Sequence, residues 1–157
     1  MKRTKTITQA AIIAALYVVL TFIANTLGLA SGAIQIRLSE ALTILPFFTP
    51  AAIPGLFIGC LISNILVGGV IWDIIFGSLA TLIGAIGTYY LRKYKWLTPL
   101  PPIISNAVIV PFVLIFAYGV EEAFLYLVFT VGAGEVISAG VLGMILLKSL
   151  EKHKDIF

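Results

Sequence analysis

Arg37 and Glu40 stand three residues apart in the run IQIRLSEALTILPFFTPAAIPGLFIGCLISN (residues 34–64), which is otherwise mostly apolar. A charge placed inside a membrane costs roughly 2.5–3.5 kcal/mol on insertion scales, so such groups pair with each other, face a cavity, or do both. Asn25, Gln35, Asn64, Trp72, Asp73 and Glu135 are further polar or amphipathic groups set in apolar surroundings. Their chemistry is hydrogen bonding and charge complementarity, the means by which a protein holds a polar small molecule. Nothing in the inventory points to catalysis. There is no GxxxxGK[ST] loop and no HExxH, and the lone histidine, His153, lies in the charged tail, so neither a Walker site, a metalloprotease centre nor a serine–histidine pair is expected. No catalytic residue, metal site or cofactor follows from the sequence.

The segments that must position these groups are membrane helices. Of 157 residues 61% are hydrophobic and only 11% charged, against about a quarter charged in soluble proteins. Spanning the hydrocarbon takes roughly 20 helical residues, or about 17 at the short end. The pattern predicts an all-α membrane protein, a single domain over residues 1–157 with no soluble part and six transmembrane helices, near 8–29, 34–48, 50–67, 73–91, 102–118 and 122–147. The second is the shortest, ended by Pro46 and Pro50. The third opens at Thr49-Pro50, where Thr can cap and Pro suits the first helical position. The first apolar block lacks a small-residue cleavage site, so no removable signal peptide is expected. Cys60, the single cysteine, forms no intrachain disulfide.

Nine of the ten Lys and Arg fall at Lys2, Arg3 and Lys5, at Arg92, Lys93 and Lys95, and at Lys148, Lys152 and Lys154. With six spans all three groups share one side, which the positive-inside rule makes cytoplasmic, with both termini on it. Asn25, Gln35, Arg37, Glu40, Asn64, Trp72 and Asp73 then lie in the outer half. Glu135 sits near the midplane, about 20 Å along the last helix. Asn106 falls near the cytoplasmic end of the fifth helix and reads as a packing residue.

Each group also has a plainer reading. Arg37 and Glu40 at i,i+3 share a helix face and can form a structural ion pair. Asp73 can be the N-cap of the fourth helix, Trp72 an interfacial anchor, and Asn25 and Asn64 interhelical glue. Glu135 has no basic neighbour in its own helix and needs a partner or a proton. The loop Leu27 to Gln35, LGLASGAIQ, is either a lid over an outward-facing pocket or a plain connection. In the first helix Ala10 stands over Ala14 and Ala11 over Ala15, and the third carries Gly55-x-x-x-Gly59. Both patterns let another helix approach closely, within this chain or from a partner.

IQIRLSEALTILPFFTPAAIPGLFIGC (34–60) and WDIIFGSLATLIGA (72–85), with the Ala-rich start of the first helix, resemble the QueT-type substrate-binding (S) components of energy-coupling-factor transporters, a queuosine-precursor family. The resemblance implies a bacterial plasma-membrane subunit that captures a 7-deazaguanine such as preQ0 or preQ1. It also implies association with a transmembrane coupling subunit, through Ala10, Ala11, Ala14 and Ala15, and with two cytosolic ATPases. No nucleic-acid partner is implied. On this resemblance Glu135 or Glu40 takes the N–H edge of the ring, Arg37 or Gln35 faces its carbonyl, Trp72 stacks on it, and Asp73 or Asn64 completes the set, with Asn25 beside them. Competing readings are an S component for another vitamin-like nutrient, a stand-alone transporter or channel, and an assembly scaffold.

Overall fold

The computed structural model describes residues 2–30 and 34–153. Among these there are no strands. The chain forms α1 (Lys2–Thr26), a 3₁₀ helix (Leu38–Phe47), α2 (Ala52–Leu66), α3 (Ile71–Leu91), a short 3₁₀ turn (Lys95–Leu97), α4 (Leu100–Tyr118), α5 (Phe124–Glu135), a π-helical stretch (Val136–Leu142) and α6 (Gly143–Glu151). Four stretches are long and apolar enough to cross a membrane: Arg3–Thr26, Ile71–Leu91, Lys95–Tyr118 and Phe124–Glu151, the last running through α5, the π stretch and α6. Their surfaces are apolar outward, with Phe116 81% and Phe129 77% exposed, as lipid contact requires.

The Leu38–Phe47 segment departs most from the sequence expectation. Residues 34–37 do not join it as helix, and Arg37 at its N-cap is extended, with φ −100° and ψ 96°. A 3₁₀ helix rises about 2.0 Å per residue, so ten residues reach about 20 Å, where an α-helix of that length would reach about 15 Å. Every residue from Ser39 to Pro46 is buried. The run is apolar because other helices surround it, not because it faces lipid. It packs against α1, α3, α6 and the π stretch and forms the centre of the bundle. Ile13, Tyr17, Leu42, Leu45, Leu56 and Cys60 form the apolar core around it.

Small residues set the helix spacing. A Cβ on Gly55 would lie 2.7 Å from the Ala10 carbonyl oxygen, and one on Gly59 would lie 2.7 Å from the Tyr17 Cβ and 3.0 Å from the Ala14 Cα. Gly55-x-x-x-Gly59 is therefore spent on packing α2 against α1. That corrects half of the alanine expectation: Ala14 is buried and Ala10 half-buried against α2, and only Ala11 and Ala15 stand exposed. On the other side of the bundle Gly84 and Gly87 admit Pro102 and Pro101, and the Ser105 hydroxyl donates to the Ala80 carbonyl at 2.9 Å, joining α4 to α3.

The ends are tied by polar contacts. Lys95 pairs with Glu151 and Lys148 lies 5.4 Å over the Trp96 ring, so the α3–α4 turn meets the end of α6. Thr49 precedes α2 as expected, but its hydroxyl accepts from Ala51 N–H at 3.3 Å and donates to Gln9 at 3.1 Å, and Pro50 lies ahead of the helix. Asp73 is not the N-cap of α3. Val70 holds that position, and Asp73 lies within the first turn.

Replacing Gly59 by Val should destabilise the bundle by about 1–3 kcal/mol, since the added methyls meet backbone and Tyr17 rather than a movable side-chain end. Thermal unfolding of the purified protein in detergent checks this, and an unchanged melting temperature would contradict the close α1–α2 contact.

Candidate functional site

Glu40 is fully buried at the centre of the bundle. The Tyr17 hydroxyl of α1 donates to Oε1, the Thr81 hydroxyl of α3 lies 3.3 Å from the same oxygen, and Asn106 Nδ2 of α4 donates to Oε2 at 3.4 Å. Three helices thus each supply one donor to one carboxylate. The Thr43 hydroxyl, one 3₁₀ turn on, donates to the Glu40 carbonyl at 2.6 Å. Asn106 is therefore more than the packing residue its depth suggested. Tyr17 and Thr81 carried no sequence signal, being single polar residues in long apolar helices.

Arg37 makes no ion pair with Glu40. Among the described residues no carboxylate lies within 4 Å of its guanidinium. The i,i+3 argument fails because Arg37 precedes the helix in extended conformation. Its guanidinium interacts electrostatically with Asp73, Glu40 and Glu135. Its backbone N–H donates to the Ser138 hydroxyl at 3.0 Å, in the π stretch that directly follows Glu135. Gly134 closes the same contact: a Cβ there would lie 2.1 Å from the Gln35 carbonyl oxygen. The Gln35–Arg37 segment is thereby laid against the end of α5.

That segment borders two cavities. The larger, about 290 Å³, is lined by Gln35 and Arg37 together with Glu122, Tyr126, Thr130 and Glu135, over an apolar floor of Val110, Leu114, Leu127 and Val131. It sits at the lower edge of the ~300–1,000 Å³ usual for small-molecule sites. Glu135 is 4% exposed, and its Oε2 has no hydrogen-bond partner. The smaller, about 150 Å³, is lined by Asn25, Gln35, Arg37, Ser39, Asn64 and Asp73, with Ala30, Tyr17, Thr21, Ala24 and Val67. Asp73 Oδ2 accepts from the Tyr118 hydroxyl at 2.8 Å, and Asn64 Nδ2 donates to the Asp73 carbonyl at 3.3 Å.

Of the eight residues singled out in the sequence, six line these two cavities: Asn25, Gln35, Arg37, Asn64, Asp73 and Glu135. Glu40 lines neither and lies behind the wall. Trp72 lines neither; it is 56% exposed and stacks on Phe76 along an apolar outer groove, with ring centroids 6.0 Å apart. The aromatic ring of the larger cavity is Tyr126. Tyr126 and Thr130 stand four residues apart and share one face of α5, while Glu122 lies ahead of that helix. Of the expected lid, Leu27 to Gln35, residues 31–33 lie outside the described residues; beside them, Ile36 N–H donates to the Leu29 carbonyl at 2.8 Å.

Long apolar helices with polar groups gathered at internal cavities define a helical, multi-pass membrane protein. Residues 7–152 match the family described as QueT transporter. The chain belongs to the QueT transporter family, a family of transporters and not of enzymes. It is 40% identical over 99 residues to the queuosine precursor transporter QueT of Lactococcus lactis subsp. cremoris (strain MG1363), a match covering 60% of this chain. The match spans 57% of that relative's length. No solved structure matches the chain.

Two substitutions probe this geometry. Tyr17→Phe removes one donor from a fully buried carboxylate and should cost about 1–3 kcal/mol, seen as a lower melting temperature. Gly134→Ala forces the Gln35 carbonyl away from α5, with an overpacking cost of about 1–3 kcal/mol. Faster hydrogen exchange at Ile36 and Arg37 would report that movement, and unchanged exchange there would argue against the contact.

Proposed function

We propose that this chain is the substrate-specificity subunit of an energy-coupling-factor importer, binding a 7-deazaguanine queuosine precursor in the larger cavity. The observation that carries the proposal is Glu135 Oε2, buried and without a protein partner in a cavity shared with Arg37 and Gln35. A guanine-type ring presents adjacent N–H donors that one carboxylate accepts bidentately. Its carbonyl meets Arg37 or the Gln35 amide, and Tyr126 offers a face for stacking. Glu40 positions Arg37 from behind rather than touching the ring. Membership of the QueT transporter family, and the name carried by the Lactococcus relative, support the same ligand class.

In this reading residues 1–157 form one domain crossing the bacterial plasma membrane six times. The Leu38–Phe47 and Ala52–Leu66 segments are short crossings, about 20 and 22 Å along their axes, against a hydrocarbon core of about 30 Å. Their enclosure by longer helices and local thinning of the bilayer make up the difference. Both termini are cytoplasmic, as the clustered Lys and Arg favour. The cavities then face outward. Ala11 and Ala15, exposed on α1, offer the approach surface for the transmembrane coupling subunit, whose two cytosolic ATPases drive uptake.

Titration of the purified protein with deazaguanines, riboflavin, thiamine and biotin tests the ligand class. Only the deazaguanines should raise its stability, by about 2.7 kcal/mol at a hundredfold excess over Kd. Glu135→Gln, which replaces one acceptor oxygen with a donor, should weaken binding at least tenfold. Equal affinity of wild type and Glu135→Gln would remove Glu135 from the ring edge. Uptake into proteoliposomes should require the coupling subunit and ATPases; uptake by the chain alone would instead mark a stand-alone transporter.

A further inference from the structure

The end of α3 opposite Asp73 gathers positive charge from two distant parts of the chain. Arg92, Lys93 and Lys95 follow α3, while Lys148 and Lys152 close α6. The Lys95–Glu151 pair and the placing of Lys148 5.4 Å over the Trp96 ring draw the two groups together. Among the described residues, Glu151 is the only carboxylate in ion-pair contact with any of the five. Arg92 lies instead 4.1 Å over the Tyr89 ring, and a ring holds a cation without neutralising it. Arg92, Lys93, Lys148 and Lys152 thus have no carboxylate partner among the described residues.

The depth of the patch follows from the chain itself. One long apolar stretch ends at Leu91 and the next opens at Lys95, so only residues 92–94 join them. Three extended residues cover about 10 Å, and a turn that leaves the membrane surface and returns rises at most about 5 Å. The headgroup layer is about 5–8 Å deep on each side of the hydrocarbon. Arg92 and Lys93 therefore stay at the level of the lipid phosphates. The aromatic side chains agree: Tyr90 is 75% and Trp96 70% exposed, as rings at a membrane interface are. Deeper along α3 and α4, Ile83 and Ile104 stand exposed and offer contact to an acyl chain.

We propose that the α3–α4 turn and the end of α6 form a docking surface for an anionic phospholipid, with Arg92 and Lys93 on its phosphodiester. A guanidinium fork matches phosphate oxygens bidentately, and the neighbouring ammonium adds a point charge. An anionic headgroup supplies the negative charge that the basic side chains lack. A zwitterionic headgroup brings its own cation beside the phosphate and meets the patch less favourably. An acidic protein surface would supply the same charge. It would leave the exposed rings and isoleucines at membrane depth without a purpose.

The test uses the full chain in lipid nanodiscs, with Trp72→Phe leaving Trp96 as the sole tryptophan. Its fluorescence is quenched with acyl-brominated phosphatidylglycerol or acyl-brominated phosphatidylcholine, each diluted into unbrominated phosphatidylcholine. Phosphatidylglycerol should be preferred at Trp96 about fivefold or more, since each basic residue at a membrane surface attracts anionic lipid. Arg92→Gln with Lys93→Gln, both exposed and outside the cavities, should bring that preference close to one, and high salt should lower it. Equal quenching by the two lipids would overturn the lipid site and leave the patch to an acidic protein surface. A preference that survives the double substitution would overturn it as well, since charge elsewhere on the chain would then be responsible.

Discussion

A carboxylate at the centre of an apolar bundle has to be satisfied from all sides, and Glu40 is satisfied from three helices. Tyr17, Thr81 and Asn106 come from α1, α3 and α4, and each brings a hydrogen-bond donor to the same side chain. An unpaired carboxylate in that position would cost several kcal/mol, so the three helices are held in one relative arrangement around the Leu38–Phe47 segment. The small-residue contacts of α1 with α2 and of α3 with α4 bring the backbones close. They fix the spacing of neighbouring pairs. The Glu40 hub supplies the direction.

The hub also explains how a segment of extended chain can form a wall inside a membrane protein. Residues 34–37 have no helical hydrogen bonds of their own, a situation tolerated at membrane depth only where protein or a cavity surrounds the backbone. Here Arg37 N–H is taken by Ser138, Gly134 allows the Gln35 carbonyl to lie against α5, and Ile36 N–H is taken by Leu29. One end of the wall is thus fixed by Glu40 and the other by the junction of α5 with the π stretch. A π stretch widens the helix and re-aims its side chains, and such irregularities collect at functional sites. Its position directly after Glu135 sets that carboxylate and the Ser138 contact together.

Apolar run length and charge clustering made the long helices legible, because lipid contact imposes the same requirement on every outward-facing residue. They could not show that residues 34–48 are enclosed rather than lipid-facing, since burial by protein and burial by lipid select the same side chains. Counting residues along the spans brought Asn25, Asn64 and Asp73 to one end of their helices, and these three line one cavity, while Glu135 lines the other. Depth is a single coordinate. It says nothing about which way a helix is turned, and for that reason Trp72 was grouped with the cavity although it faces the outer groove. Asn106 failed in the complementary way: its counted depth kept it apart from Glu40, whose extended, 3₁₀-borne position reaches deeper than an α-helical count allows.

The same geometry limits what Arg37 can do. Its side chain borders both cavities, and among the described residues no carboxylate is in ion-pair contact with it. Had it paired with Glu40 at the spacing the sequence offered, the two charges would have neutralised each other and left the cavities to Glu135 and Asp73 alone. Tyr17, Thr81 and Asn106 relieve Arg37 of that duty by serving Glu40 with uncharged donors. The cost is three polar side chains buried in apolar helices, and the gain is a cation kept at the wall between two cavities. That division of labour, neutral donors inside and the charge at the wall, leaves Arg37 beside Gln35 and Glu135 in the cavity where the proposed ligand would sit.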